Sequence, residues 1–323
     1  MSISVLRTTD AWYVEATGST SGAGRAVPID TDATTTAALL ADRPAVEKAS
    51  AALAASTAES AVDVAGLDLV SPVTTPCRVV AQMVNFRSHA TDSGFDPDQV
   101  LPTFFRKASG SVSAPDATIV RPEHVRLLDY EVELGLVLGA PLPVGSVVTD
   151  ADLDHYVAGL VVTDDVSARD IQLPKGQFYE SKSYPTFTPV GPRLVLLEPG
   201  DAAHLERLRL RLWVNDVLRQ DRTLADMIVQ PARALTLLAR FQELEPGDLL
   251  LTGTPGGTAL KAPRRIVEVI GGLLPPERKW KAFVGRAERN PDYLQHGDVV
   301  TAAIGTDDGH LDLGRQRNPV EHR

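Results

Sequence analysis

The chain has 323 residues, 43% of them hydrophobic and 23% charged, which is the composition of an ordinary globular protein of one large domain or a large and a small one. Its 32 Lys and Arg against 42 Asp and Glu leave a net charge of −10, which argues against a nucleic-acid binder with its clustered basic face. Cys77 is the only cysteine, so an intrachain disulfide and a cysteine zinc site are excluded, and one thiol is compatible with a reducing cytosol. The first twenty residues lack a charged start followed by an apolar core, and no run reaches the roughly 18 apolar residues of a membrane helix, so a cytoplasmic protein with no membrane partner is expected.

In chain order, residues 1–75 read as a small N-terminal subdomain. One or two strands precede an Ala- and Thr-rich stretch with a helix near Pro44 to Ala55. The Pro-punctuated 71–80 links it to the body, residues 76–323. There the pattern changes to short apolar runs bounded by Gly and Pro, such as RVVAQMVNF, LDYEVELGLVLG, AGLVVTDDV, RLRLWVNDVLR, DLLLTGTPGG and DVVTAAIG. These are strands. Two helices are expected among them: ADLDHYVAG behind an Asp150 cap, and TLADMIVQPARALTLLARF, divided in two by Pro231. Many strands and few helices indicate a β-rich α+β fold, a roll or sandwich, without alternating βαβ units. Residues 259–296 form a basic insertion with Pro-Pro and Gly-Gly breaks, long enough to carry structure of its own.

The strand LDYEVELGLVLG carries Asp129, Glu131 and Glu133 at alternate positions, so the three carboxylates share a face. In a partly buried site such carboxylates repel, and a hard divalent cation relieves the conflict; on a solvated face they need no partner. Asp164-Asp165 ends the later strand GLVVTDD, where a carboxylate either completes such a site or forms a turn. Arg169, Asp170 and Gln172 follow, and Lys107 and Lys182 stand among aromatic and small residues, as site cations or as surface residues. His89 precedes Asp92 by three, a spacing that puts both on one face of a helical turn, where the acid orients a general base or the two are a surface pair. Thr254 sits in the Gly-rich loop LLLTGTPGG, suited to binding a carboxylate through N–H groups and a hydroxyl.

In order, Asn85 to Asp92, Phe104 to Lys107, Asp129 to Leu134 (DYEVEL), Asp164 to Gln172 (DDVSARDIQ), Ser181 to Tyr184 and Thr252 to Gly257 (TGTPGG) together resemble the fumarylacetoacetate hydrolase family, in its acylpyruvase and isomerase branch. The resemblance implies a mixed β-roll of the family's C-terminal-domain type with a small N-terminal subdomain, usually a homodimer. It implies that Glu131, Glu133 and Asp165 bind Mg²⁺ or Mn²⁺, that Arg169, Gln172, Lys182 and Thr254 surround a 2-oxo acid, with Lys182 catalytic, and that His89 with Asp92 activates water. Asp129 is expected to be structural. Departures from the family pattern are Asp92 for Glu, Asp164 for Asn and Ser181 for Gly. The expected activity is metal-dependent hydrolysis of a C–C bond in an acylpyruvate or related 1,3-dicarbonyl acid. The alternatives are isomerisation, tautomerisation or decarboxylation of a 2-oxo acid in the same site, and a non-catalytic binding protein on the same fold.

Overall fold

A computed structural model of the chain describes residues 2–16, 24–55, 60–262 and 275–323. Strands β1 (Ile3–Arg7), β2 (Trp12–Glu15), β3 (Arg25–Pro28) and β4 (Val62–Asp63) form an antiparallel series, with helices α1 (Thr36–Ala41) and α2 (Arg43–Ala54) between the last two. The body follows with β5 (Val79–Met83), α3 (Arg87–Asp92), β6 (Thr103–Lys107), β7 (Val112–Ser113), β8 (Ile119–Arg121), β9 (Leu128–Asp129) and β10 (Val132–Leu138). Then come α4 (Leu153–Tyr156), β11 (Val157–Asp164), β12 (Ser167–Ala168), α5 (Arg169–Lys175), β13 (Thr188–Pro189), β14 (Leu194–Leu196), β15 (Leu208–Val214) and β16 (Val217–Thr223). Last are α6 (Pro231–Leu238), β17 (Leu249–Leu251), α7 (Pro276–Ala287), β18 (Val299–Thr306) and β19 (Asp312–His322).

The fold is α+β and strand-rich. Ten strands make one mixed sheet in the order β4-β3-β2-β1-β14-β11-β10-β17-β5-β6, and five make a second, β16-β15-β18-β19-β8. The second sheet packs on the centre of the first through β10, β11, β15, β18 and β19. The N-terminal strands do not stand apart: β1 pairs with β14, so they continue the large sheet, and Val5, Val14 and Val46 share one core cluster with Val79, Val137 and Leu249.

Strand β10 decides where the site lies. Val132, Leu134, Leu136 and Leu138 point into the core between the sheets with Leu210, Leu212, Ala302 and Ile304. Val137 points to the opposite face, against Ala81, Val161 and Leu251, and Glu133, in register with it, projects there at the end of the strand. Gly135, between them, has no room for a side chain, because a Cβ would lie 2.6 Å from Val161 Cγ2 and 2.9 Å from Thr163 Cγ2.

Two expected helices differ. In ADLDHYVAG only Leu153–Tyr156 is α-helical, behind a short 3-10 turn that contains Asp150, and Val157 already starts β11. Leu160 and Val162 on that strand are buried in the same core as the helix's Leu153, so tertiary pairing overrides the local pattern. Pro231 begins α6 instead of dividing a longer helix. A proline suits the first turn, where its missing N–H has no helical partner to lose. Within 259–296, residues 263–274 lie outside the described residues, and the remainder holds α7. No helix among the described residues is long and apolar enough to cross a membrane.

Asn85, the residue between β5 and α3 at which the site's histidine-bearing turn departs, is fully tied. Its amide nitrogen donates to Val229 O (3.0 Å) and Thr252 O (2.8 Å), and its amide oxygen accepts from Val229 N (2.8 Å). Asn85→Ala strips three buried backbone groups of their partner and is expected to cost about 2–4 kcal/mol in urea unfolding; a loss below about 0.5 kcal/mol contradicts this role.

Candidate active site

The alternating acids Asp129, Glu131 and Glu133 fold into a break, not a continuous strand. Backbone pairing passes from β9–β12 to β10–β11 across Tyr130–Glu131 on one side and Asp165–Val166 on the other. Glu131 O accepts from Asp165 N (2.8 Å), and Glu131 N donates to Asp164 Oδ1 (2.7 Å). The facing breaks bring Glu131, Glu133 and Asp165 together: one oxygen from each lies within 4.8 Å of the other two. All three are buried, as are Asp129 and Asp164, so the face is not the solvated one an antiparallel strand allows.

Three cations face them. Arg169, first residue of α5, donates from Nε to Asp129 (2.9 Å), from one terminal nitrogen to Gln172 Oε1 (2.8 Å) and from the other to Glu131. Lys182 bonds to Glu131 (2.6 Å) and Asp165, and Lys107, at the end of β6, to Asp165 and Phe187 O (2.9 Å). Neither lysine is a surface residue. Burial acts to raise the Glu131 carboxyl, but Arg169 and Lys182 outweigh it and hold it far below the usual range. Glu133, which accepts from Gly253 N (2.7 Å), is pushed well up by burial and by the charges of Asp165 and Glu131. Burial likewise lifts Asp164 to about 7.

The donor set therefore fits a divalent cation. Five buried carboxyl groups against three cationic side chains leave an excess of two negative charges when all are ionised, and two of those carboxyls, Glu133 and Asp164, are the ones driven toward protonation. Two positive charges held by the oxygens of Glu131, Glu133 and Asp165 remove that excess, and an oxygen-only set suits Mg²⁺ or Mn²⁺.

Of the nine residues to which the resemblance gives a metal, substrate or catalytic role, all but Asp92 line one cavity. Their hydrogen bonds differ from expectation at three places. Asp92 does not bond to His89: its carboxylate takes Gly257 N (3.0 Å) and Lys261. The His89 ring stays buried, with Nδ1 unpartnered among the described residues, and burial, reinforced by Arg169 and Lys182 and opposed by Glu131, lowers it to about 4. The Thr254 hydroxyl donates to Val132 O (2.9 Å) and accepts from Gln220 (2.9 Å), so it anchors the loop to β10. Gly253, Gly256 and Gly257 give their N–H groups to Glu133, Ser88 and Asp92, not to an open site. Asp129 is structural, as expected: besides Arg169 it accepts from the N–H groups of Ala259 (2.8 Å) and Leu260 (3.1 Å). Asp170 likewise caps the N–H groups of Arg126 and Leu127.

Sequence reasoning left Lys107 open between a site cation and a surface residue and missed Gln82, whose buried amide has neither atom bonded among the described residues. It also missed Trp280 and Phe283 of α7, which wall the cavity. A lone Gln in an apolar strand and an aromatic pair in a basic helix carry no motif, so no local signal marked them.

Residues 78–321 match the family model described as fumarylacetoacetate (FAA) hydrolase C-terminal. The chain is 30% identical over 273 residues to a mitochondrial oxaloacetate tautomerase of Xenopus laevis, covering 82% of this chain and 74% of that one. It is 34% identical over 226 residues to a 2,4-didehydro-3-deoxy-L-rhamnonate hydrolase of Sphingomonas sp. (strain SKA58), covering 67% and 77%. Against the mammalian relatives it matches, the aligned region spans about three fifths of their length. A crystal structure of a probable 2-hydroxyhepta-2,4-diene-1,7-dioate isomerase from Mycobacterium abscessus superposes with a TM-score of 0.68 at 26% identity, over 100% of this chain and 99% of that one.

Addition of Mg²⁺ or Mn²⁺ is expected to raise the melting temperature, since a ligand at a hundred times its Kd stabilises by about 2.7 kcal/mol. Glu133→Gln should abolish that rise while leaving the metal-free protein folded; an equal rise in both proteins places the cation elsewhere. Arg169→Met leaves Asp129 and Glu131 without their shared guanidinium and is expected to destabilise by about 3–5 kcal/mol, read by denaturant unfolding.

Proposed function

The chain belongs to the fumarylacetoacetate hydrolase family, and on that premise we propose that it is an enzyme that stabilises the enolate form of a small 2-oxo acid. The observation that carries this reading is the buried trio Glu131, Glu133 and Asp165, within a cluster of five carboxyls and three cationic side chains, lining a cavity that also presents His89. Glu131, Glu133 and Asp165 would hold a divalent cation there, which would supply Lewis-acid polarisation to the acid. The chain's own groups do the rest. Lys182 and Arg169 keep Glu131 ionised and offset the charge of an anionic substrate. Burial keeps His89 neutral at physiological pH, so its ring accepts a proton from the carbon next to the 2-oxo group and returns it. Since Nδ1 is enclosed, Nε2 is the nitrogen that carries the proton.

Of the reactions open to such a site, proton transfer (tautomerisation or isomerisation) has the stronger support. An imidazole lowered to about 4, with no carboxylate hydrogen-bonded to it among the described residues, is poorly suited to activating water but adequate for a C–H next to a 2-oxo group. The Xenopus relative's activity is of this kind. A second reading, hydrolysis of an acylpyruvate C–C bond, draws support from Asp92 on the same short helix as His89, three residues on. For the pair to form, Asp92 must leave both Lys261 and the Gly257 N–H.

Keto–enol interconversion of oxaloacetate, followed by absorbance with Mg²⁺, is expected to be accelerated, to stop with chelator, and to fall about a hundredfold to ten-thousandfold in His89→Ala. Release of pyruvate and acetate from acetylpyruvate would instead establish hydrolysis, and activity toward neither would sink both readings. Because the neutral ring is the base, activity is lost as pH falls through the lowered value. The acid limb of kcat/KM should therefore lie near or below pH 4, and a limb near pH 6.5 would assign the step to another group.

A further inference from the structure

The cavity above the carboxylates has a volume of about 990 Å³, far more than a four-carbon oxo acid fills. Its walls away from the charged cluster are aromatic. On one side Phe105 and Phe178 stack with ring centroids 5.1 Å apart and planes 27° apart, and the Lys182 ammonium lies 5.3 Å from the Phe105 centroid. On the other, α7 presents Trp280 and Phe283, packed edge to face at 5.9 Å and 86°. Both α7 rings are only half-buried and line the cavity, with the Lys279 ammonium 5.2 Å from the Trp280 centroid. Lys279 and Arg286 line the same wall with no carboxylate partner among the described residues, a positive approach for an anion on a chain of net charge −10.

We infer that this part of the cavity receives a planar apolar substituent on the substrate chain, so that the enzyme takes aryl-bearing 2-oxo acids, with Trp280 of α7 as the selecting wall. The inference rests on the 2-oxo acid reading of the carboxylate site and adds the class of substituent. A ring entering the cavity removes its own apolar surface and that of Trp280 and Phe283 from water, and gains offset or edge-on contact with both pairs. A short polar chain would leave all of that surface wet. The selecting rings come from the segment after the Thr254 loop, apart from the residues that hold the oxo-acid end.

Calorimetric titration of the full chain with phenylpyruvate and with pyruvate, both with Mg²⁺ present, tests this. Phenylpyruvate is expected to bind at least about tenfold tighter, and Trp280→Ala to bring the ratio of the two affinities back by about tenfold, the size of one lost ring contact with its buried area. Trp280→Leu keeps an apolar group and should lie between, which keeps the test open should the alanine variant not fold. Equal affinities in the unaltered protein, or a ratio unmoved by either variant, overturn the inference. Binding is read without turnover, so selective binding of phenylpyruvate by a chain that interconverts no 2-oxo acid sinks the enolate reading alone. Turnover of oxaloacetate with no preference for the ring sinks the substituent alone, and so does turnover of oxaloacetate with binding of neither acid; binding of neither acid with no turnover of oxaloacetate sinks both.

Discussion

Everything in the site depends on the cost of holding five carboxyl groups out of water at the end of one sheet. Ion pairs in such surroundings attract strongly but lose hydration on both sides, so they persist only where geometry satisfies nearly every lone pair and proton. Arg169 meets that condition with all three nitrogens engaged, and Lys182 by bridging two carboxylates. What they leave over is concentrated on Glu133 and Asp164. A cluster that must either protonate Glu133 and Asp164 or take up two positive charges is prepared for a divalent cation in a way that a satisfied network is not.

The scaffold serves that cluster by separating two faces of one strand. Even positions of β10 enter the core between the sheets, while Glu133 projects to the other face with Val137. The facing breaks in the β9–β12 and β10–β11 pairings then turn Glu131 and Asp165 toward the same point. Asp129 and Asn85 act one layer out. Each fastens segments distant in sequence, Asp129 joining α5 to Ala259 and Leu260, and Asn85 joining the turn before α3 to Val229 and Thr252.

Much of the site was legible because its residues come in short blocks whose spacing has a direct geometric meaning. Glu131 and Glu133 differ by two in an apolar run, and Arg169 and Gln172 by three at the start of a helix, where they do bond. The His89–Asp92 spacing was equally suggestive, yet Asp92 is drawn to Lys261. Spacing says which groups share a face; it does not say which distant cation arrives there. Pro231 was legible as punctuation, but whether it ended a helix or began one depended on the packing of the residues before it.

By itself, the sequence determined the strand-rich class and the family, because these follow from local periodicity and from ordered blocks, and through the resemblance it pointed to the acids, to Arg169 and Lys182 and to a structural Asp129. Tertiary structure alone decided the rest. It buried Lys107 and Lys182, made the N-terminal strands part of the main sheet, and committed the Thr254 hydroxyl to β10. It also carried α7, more than a hundred residues beyond the acids, across to wall their cavity. Those outcomes are set by which surfaces meet, and the energy of meeting belongs to pairs of segments, not to either one.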